Sequence, residues 1–315
     1  MRRVFPGSSG AILATPASFD RGVASAIELV DGPDGPFVVK QALSKLRVAA
    51  DWRSDPARSA VEAAALEAMA GLLGEDAVPK VLWTDPARHR FAMALVPPRL
   101  RNWKRDLLAG HVDLRTAARA GELLGQLHAR SAGNADLQAR FADTRYFEEL
   151  RIAPYFSRVA ERNPDLAPHI ACAVRSMAAH RQALVHGDFS PKNILADGGD
   201  VVLLDCEVAH WGDPRFDLAF CLTHLALKAL RRGASAEALT AAASALRRAY
   251  LASGPAIADT DLVRLIGCLM LARLEGDSPV DYLGDLDLPA AKTRAIGLLR
   301  DPSACREPGS LPLSA

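Results

Sequence analysis

Four short apolar stretches in the first third of the chain, at 24–30, 37–42, 78–83 and 91–96, have the length and spacing of strands. The run Asp31-Gly32-Pro33-Asp34-Gly35-Pro36 separates the first two as a turn. One helix interrupts them over 56–73: Asp55 or Ser54 caps it, Pro56 sits in its first turn and Gly74 follows its end. Its stripe Leu66, Met69 and Leu73 places Glu62 on the same inward face, and a buried carboxylate needs a partner. Pro97 and Pro98 stop the fourth strand, after which helical spacing takes over at 114–131, 168–181, 216–229, 235–252, 259–274 and 289–299. The pattern predicts an α+β chain with a small antiparallel-sheet lobe over 1–96 and a larger helical lobe over 97–315.

One hairpin is expected inside the helical part. Apolar runs at 194–196 and 201–204 flank Asp197-Gly198-Gly199-Asp200. At about 3.3 Å per residue the two arms nearly match, so Asp205 returns beside Asn193. Glu207 points the same way if the strand continues.

Those residues carry chemistry because of what precedes them, His186-Gly187-Asp188-Phe189-Ser190-Pro191-Lys192-Asn193. A kinase-type catalytic loop spaces its base Asp and its metal-binding Asn as Asp188 and Asn193 are spaced. Asp188 then takes the proton of an acceptor hydroxyl, and Asn193 and Asp205 hold magnesium, with Glu207 as a further ligand or an acceptor-orienting group. Upstream, Lys40 ends the run Phe37-Val38-Val39-Lys40 and is expected to pair with Glu62 and meet the phosphates of ATP. Glu67 is the weaker candidate for that pairing. Adenine is expected against the hinge at Met93, Ala94 and Val96. No GxGxxG covers the phosphates, so backbone amides around Gly22 and Ser25 are the available donors. Asp217 either caps a helix or braces the catalytic loop.

Composition changes the picture mainly by exclusion. Thirty-eight basic and thirty-seven acidic residues leave a charge of +1, with no basic stripe, which argues against a nucleic-acid partner. Five scattered cysteines without a CxxC suit neither a disulfide framework nor a zinc site, and fit a reducing cytoplasm. The apolar run 218–230 is broken by His224 and Lys228 and falls short of the roughly 20 residues a membrane span needs. Pro6 and Gly7 interrupt any export signal after Arg2 and Arg3, and a loose tail is expected after Asp301. Only four residues separate Glu207 from Gly212, too few for the long activation segment of protein kinases, and Gly187 replaces the Arg of their HRD. Both point to a small-molecule hydroxyl acceptor. Oligomeric state is not legible.

These motifs, with Leu203-Leu204-Asp205-Cys206-Glu207 and Gly212-Asp213-Pro214-Arg215-Phe216-Asp217, resemble the aminoglycoside phosphotransferase and choline kinase group. The resemblance covers most of the chain and implies a two-lobe protein-kinase-like fold, with Asp188 as base and Asn193 and Asp205 on magnesium. Ser190, also assigned to the catalytic loop, stands where protein kinases carry a lysine, so phosphate charge must be neutralised from elsewhere. A more detailed similarity is to methylthioribose kinases, in Val39-Lys40-Gln41-Ala42 with Trp52 downstream, in Asp205-Cys206-Glu207 and in the proline-ended hinge. It implies that Trp52 covers the nucleotide, the other reading being a packing aromatic. That family's paired arginines fall at Ala272 and Arg273, leaving one. Arg273 and Trp211 are the candidate acceptor contacts, Arg273 being otherwise a surface ion pair near Glu275. The acids Glu275, Asp277, Asp281, Asp285 and Asp287 either hold an aminated sugar or form a solvated face. Sugar-type and aminoglycoside-type acceptors both remain open, and a nucleotide-binding pseudokinase is the rival from another class.

Overall fold

The computed structural model describes residues 12–13, 24–47 and 52–304. Its N-terminal part is a five-stranded antiparallel sheet in the order β1-β2-β3-β5-β4, from β1 (Ile12–Leu13), β2 (Ser25–Gly32), β3 (Gly35–Ala42), β4 (Val81–Asp85) and β5 (Arg90–Ala94). α1 (Arg58–Leu73) packs against this sheet. The helix starts later than the sequence suggests. Asp55 accepts the N–H of Ala57 at 2.9 Å within the preceding turn, and no side chain caps α1 itself. Gly74 ends it at φ 102, a left-handed value that favours glycine.

The remainder is mostly helical. β6 (Arg101–Asn102) leads into α2 (Trp103–Leu108), α3 (Leu114–Ser131) and α4 (Ala135–Arg140). There follow α5 (Arg145–Phe147), a π-helical stretch (Glu148–Ser157), α6 (Arg158–Arg162) and α7 (Ala167–Ala179). Pro154 lies inside the π-helical stretch, where the wider turn accommodates a residue without an N–H. β7 (Ala183–Val185), β8 (Ile194–Asp197), β9 (Asp200–Leu203) and β10 (His210–Gly212) precede α8 (Arg215–Ala229), α9 (Ala236–Ser253), α10 (Asp259–Glu275) and α11 (Leu288–Arg300). β6, β8 and β9 form one small antiparallel sheet, and β7 pairs with β10 in another. No helix among the described residues is long and apolar enough to cross a membrane.

Every residue of α8 is buried, so this helix is the hub of the larger lobe. α3 and α9 approach closely because Gly121 and Gly125 of α3 present no side chain to α9. A Cβ on Gly121 would stand 2.1 Å from Leu246 O, and one on Gly125 2.7 Å from Tyr250 O. That approach lets Tyr250 reach His128 across the interface, at 2.9 Å. Gly121→Ala is therefore expected to lose about 1–3 kcal/mol of stability by forcing the helices apart, measurable as a lower midpoint in thermal or urea unfolding.

Candidate active site

The hairpin β8–β9 does what its arm lengths predict. Leu204 N donates to Asn193 O at 2.9 Å, so the chain returns beside the residue it left and carries Asp205 to the mouth of the cleft. Asp205 then breaks the strand. Its φ of 65 is left-handed, which a non-glycine residue adopts at a cost, and the turn rather than strand alternation aims Glu207. The expectation that a continuing strand orients Glu207 is thus corrected: β9 ends at Leu203.

Three carboxylates converge, with oxygens of Glu62, Asp205 and Glu207 within 4.8 Å of one another. Lys40 threads between two of them, donating to Glu62 Oε1 at 2.7 Å and contacting Asp205 Oδ1. Burial works against the Lys40 ammonium, yet Asp205 and then Glu62 outweigh it and hold its pKa above the ordinary lysine value. Burial likewise pushes Asp205 up, but Lys40 wins and keeps that carboxyl below the usual range. For Glu62 burial dominates and raises the carboxyl against the pull of Lys40. Glu67, the rival partner, lies on the surface against Arg140 at 3.0 Å.

Asp188 is held from two sides. Arg151 Nη2 pairs with its Oδ1 at 2.8 Å, while Asn193 Nδ2 donates to its Oδ2 at 2.7 Å and its backbone O at 2.9 Å. Asn193 spends its amide donors on Asp188, which turns Oδ1 into the atom available to a cation. The three carboxylates offer only oxygen donors, and Asn193 lines the same cleft, a chemistry that fits magnesium rather than a thiolate-seeking metal.

The loop itself hangs on Asp217. This carboxylate, at the start of α8, accepts N–H bonds from His186 at 2.7 Å and Gly187 at 2.8 Å. His128 Nε2 lies 3.2 Å from Asp217 Oδ2 and is backed by Tyr250 on its other ring nitrogen. The bracing alternative for Asp217 is the one the hydrogen bonds favour. Burial pushes this carboxyl up, but the hydrogen bond and charge of His128 outweigh that and keep it below the ordinary Asp value. Gly187 has φ 79, and a Cβ there would meet Val208 O at 2.7 Å, which is why no arginine of the HRD type fits.

A cleft of about 1110 Å³ joins these groups. Met93, Ala94 and Val96 line one end, as the hinge expectation requires, although the Ala94 N–H is already taken by Lys80 O at 2.8 Å. Trp52 both lines the cleft and packs on Leu46, Tyr146 and Leu150. Ser25 is buried on the same wall with an Oγ that has no partner. Gly22 lies outside the described residues. Ser190 lines the floor, and Lys192, two residues on, supplies a cation there that Ser190 lacks.

Two acceptor expectations change. Trp211 does not reach the cleft: it is 4 % exposed in β10, its indole Nε1 donates to Arg181 O at 3.2 Å, and it packs in the main core. Pairing of β10 with β7 turns its ring inward. Arg273 does line the cleft, and instead of pairing with Glu275 it donates to Tyr155 Oη at 3.1 Å and Ser278 Oγ at 2.8 Å.

Arg151 and Arg58 escaped sequence reasoning. Arg58 is fully buried and donates to Glu207 Oε2 at 2.9 Å, to the backbone oxygens of Ala24 and Leu43, and to those of Ser54 and Asp55. It fastens β2 and β3 to the carboxylate cluster. Neither arginine sits in a motif; the only hint for Arg58 is its place among small residues at the start of an otherwise apolar helix.

The family model described as "Phosphotransferase enzyme family" matches residues 19–259. Methylthioribose kinase from Escherichia coli O45:K1 (strain S88 / ExPEC) is 25% identical over 229 residues, covering 63% of this chain and 54% of that protein. The chain therefore spans about half the length of this curated relative. The microcompartment-associated aminopropanol kinase superposes with a TM-score of 0.55 at 17% identity, covering 97% of this chain and 94% of that one. Amicoumacin kinase hAmiN in complex with AMP-PNP, Ca2+ and Ami gives 0.53 at 13% identity, over 93% and 88%. The two structural likenesses establish a protein-kinase-like fold, and with the family match covering most of its length, this chain belongs to the phosphotransferase enzyme family.

Proposed function

We propose that the protein is a small-molecule kinase that transfers the γ-phosphoryl group of ATP, with magnesium, to a hydroxyl of its acceptor. The observation that carries this reading is the placement of Asp188, Arg151 and Asn193 on one cleft with Lys40 and the Glu62–Asp205–Glu207 cluster. A nucleotide-binding protein without turnover has no use for a carboxylate fixed at the junction of nucleotide and acceptor spaces. The AMP-PNP in the amicoumacin kinase complex supports nucleotide use by this fold.

Residues 1–96 grip the nucleotide and residues 97–315 supply the catalytic loop and acceptor pocket. Lys40 meets the phosphates, Ser25 Oγ and neighbouring amides add donors, Met93 to Val96 face the base, and Trp52 covers it. Magnesium, when bound by Asn193, Asp205 and Glu207, neutralises phosphate charge. Asp188 orients the acceptor hydroxyl and takes its proton as the oxygen bonds to phosphorus and the bridging bond to ADP breaks. Arg151 keeps Asp188 aimed through its ion pair with Oδ1. Lys192 offsets charge on the transferring group, the role Ser190 cannot fill. Dependence on ATP and the free thiols Cys172, Cys206, Cys221 and Cys268 suit a cytoplasmic enzyme.

The test is ADP formation with ATP, magnesium and pools of sugars, sugar acids, amino sugars and amino alcohols. Acceptor-dependent ADP that stops on chelation and returns with magnesium is expected. Tight nucleotide binding with no turnover on any pool would overturn the reading.

A further inference from the structure

Beyond Asp188 the cleft runs on between α8 and α10, and its polar groups there are unusual in what they lack. Lys228 is 1 % exposed and lines the cleft, yet no carboxylate among the described residues pairs with it. Its contacts are His224 O at 3.3 Å and the face of Tyr282 at 5.1 Å. Arg273 also lacks a carboxylate; its Nε is buried without a partner, and so is the hydroxyl of Tyr282. A buried ammonium, a guanidinium and a phenol with unmet donors surround one space. Leaving such groups unpaired costs stability unless a ligand satisfies them.

The nearby acids do not provide the missing charge. Asp281 is taken by Lys104 at 2.7 Å, Asp277 by Arg158 at 3.0 Å and Arg162 at 3.3 Å, and Glu275 by Lys292 at 2.7 Å. Asp285 pairs with Arg231 at 3.1 Å, and Asp287 caps α11 through the N–H of Ala290. The acidic stretch that could have held an aminated sugar is thus committed within the protein, four acids to its own cations and Asp287 to a helix N-terminus. Burial, and then Lys104, lower Lys228 to about 7, with Arg273 adding to the fall and Cys221 and Asp281 opposing it. His224 is driven well below its usual value by burial and by the charges of Lys228, Arg273, Lys104 and Lys192.

We infer that the acceptor is an anion, a hydroxyl compound whose carboxylate or phosphate group is held by Lys228 and Arg273 with the Tyr282 hydroxyl. This deepens the kinase reading and rests on it. An amino sugar or amino alcohol would bring a further positive charge to a space lined by Lys228 and Arg273, neither with a carboxylate partner among the described residues, whereas an anion satisfies all three donors. With the anion seated, the hydroxyl to be phosphorylated extends back toward Asp188.

Calorimetric titration of the full chain, loaded with AMP-PNP and magnesium, tests this with matched probes. Glycerate and gluconate are compared with glycerol and glucose, glycerol 3-phosphate serves as the phosphate arm, and ethanolamine and glucosamine as the cationic arm. One anionic arm is expected to bind at least about tenfold tighter than its neutral counterpart, and the arm that does so names the source of the charge. At about pH 8, where Lys228 is largely deprotonated, anion binding favours its charged form, so a proton is taken up and the heat varies with the buffer's ionisation enthalpy. Lys228→Met should remove that uptake and weaken the anion about tenfold or more, leaving AMP-PNP affinity unchanged; Arg273→Met should weaken the anion without removing the uptake. Losing a lone buried charge does not threaten the fold of Lys228→Met. Tighter binding of a neutral or cationic probe, anion affinity unaltered in Lys228→Met, or no anion bound at about 10 mM would each overturn the inference. The kinase reading is read separately, from AMP-PNP binding before any probe is added and from ADP formation with the probe that binds.

Discussion

Asp188→Asn is expected to lower acceptor-dependent ADP formation by about 100-fold to 10,000-fold while nucleotide affinity changes less than about threefold. The substitution keeps size and shape but removes the atom that accepts the hydroxyl proton. Its surroundings make the result informative. Arg151 Nη2 at 2.8 Å and Asn193 Nδ2 at 2.7 Å are both donors, so an asparagine must turn its own NH2 toward one of them. Part of any loss in rate therefore comes from misalignment, and Arg151→Met separates the two contributions. That variant keeps the carboxylate and frees its orientation, so a loss of about tenfold, smaller than for Asp188→Asn, assigns the larger share to proton transfer. The decisive measurement is single-turnover ADP formation under saturating ATP, paired with the thermal midpoint of each variant. Equal rates for Asp188→Asn and the parent would remove Asp188 from the chemistry, and a rate loss matched by a collapse in the midpoint would make it structural.

Much of this site is legible in the chain because its parts are contiguous. His186 to Asn193 and Asp205 to Glu207 are two short segments joined by one hairpin, and hairpin closure is dictated by local turn residues. Lys40 and Glu62 are legible for a different reason: Lys40 follows directly on an apolar strand run, and Glu62 shares a helical stripe with the buried Leu66 and Met69. Arg151 was invisible because it lies in a π-helical stretch containing Pro154, where neither a 3.6-residue nor a two-residue period assigns a face. Lys228 was invisible for the opposite reason. α8 is buried on all sides, so hydrophobic periodicity cannot tell which of its residues faces a cavity and which faces the core. Trp211 was misplaced because three-residue strands such as β7 and β10 take their orientation from tertiary pairing rather than from pattern. The acids at 275–287 show the same limit for charge: composition displays carboxylates, and only the fold reveals that arginines and lysines from α2, α6 and α11 and just beyond α8 pair with four of them while Asp287 caps α11.

Asp217→Asn should be the most damaging single change that touches neither nucleotide nor acceptor, with a loss of about 3–5 kcal/mol in unfolding free energy. Both carboxylate oxygens accept a catalytic-loop N–H, His186 on Oδ2 and Gly187 on Oδ1, and His128 adds a third donor on Oδ2. An asparagine offers one acceptor oxygen, so its NH2 must confront a backbone N–H or the imidazole in a site with 0 % exposure. Because Gly187 is held at φ 79 by those bonds, release of the loop also lets Asp188 drift from Arg151, and turnover should fall with the stability. The folded-state carboxyl is held below the ordinary Asp value, so its stabilisation is complete above that value and fades as pH falls through the lowered one. The gap between parent and variant should accordingly be flat from about pH 5 upward and narrow only in stronger acid. Urea titrations at several pH values measure this. A gap that changes near neutral pH would move the origin of the bracing away from the Asp217 carboxylate.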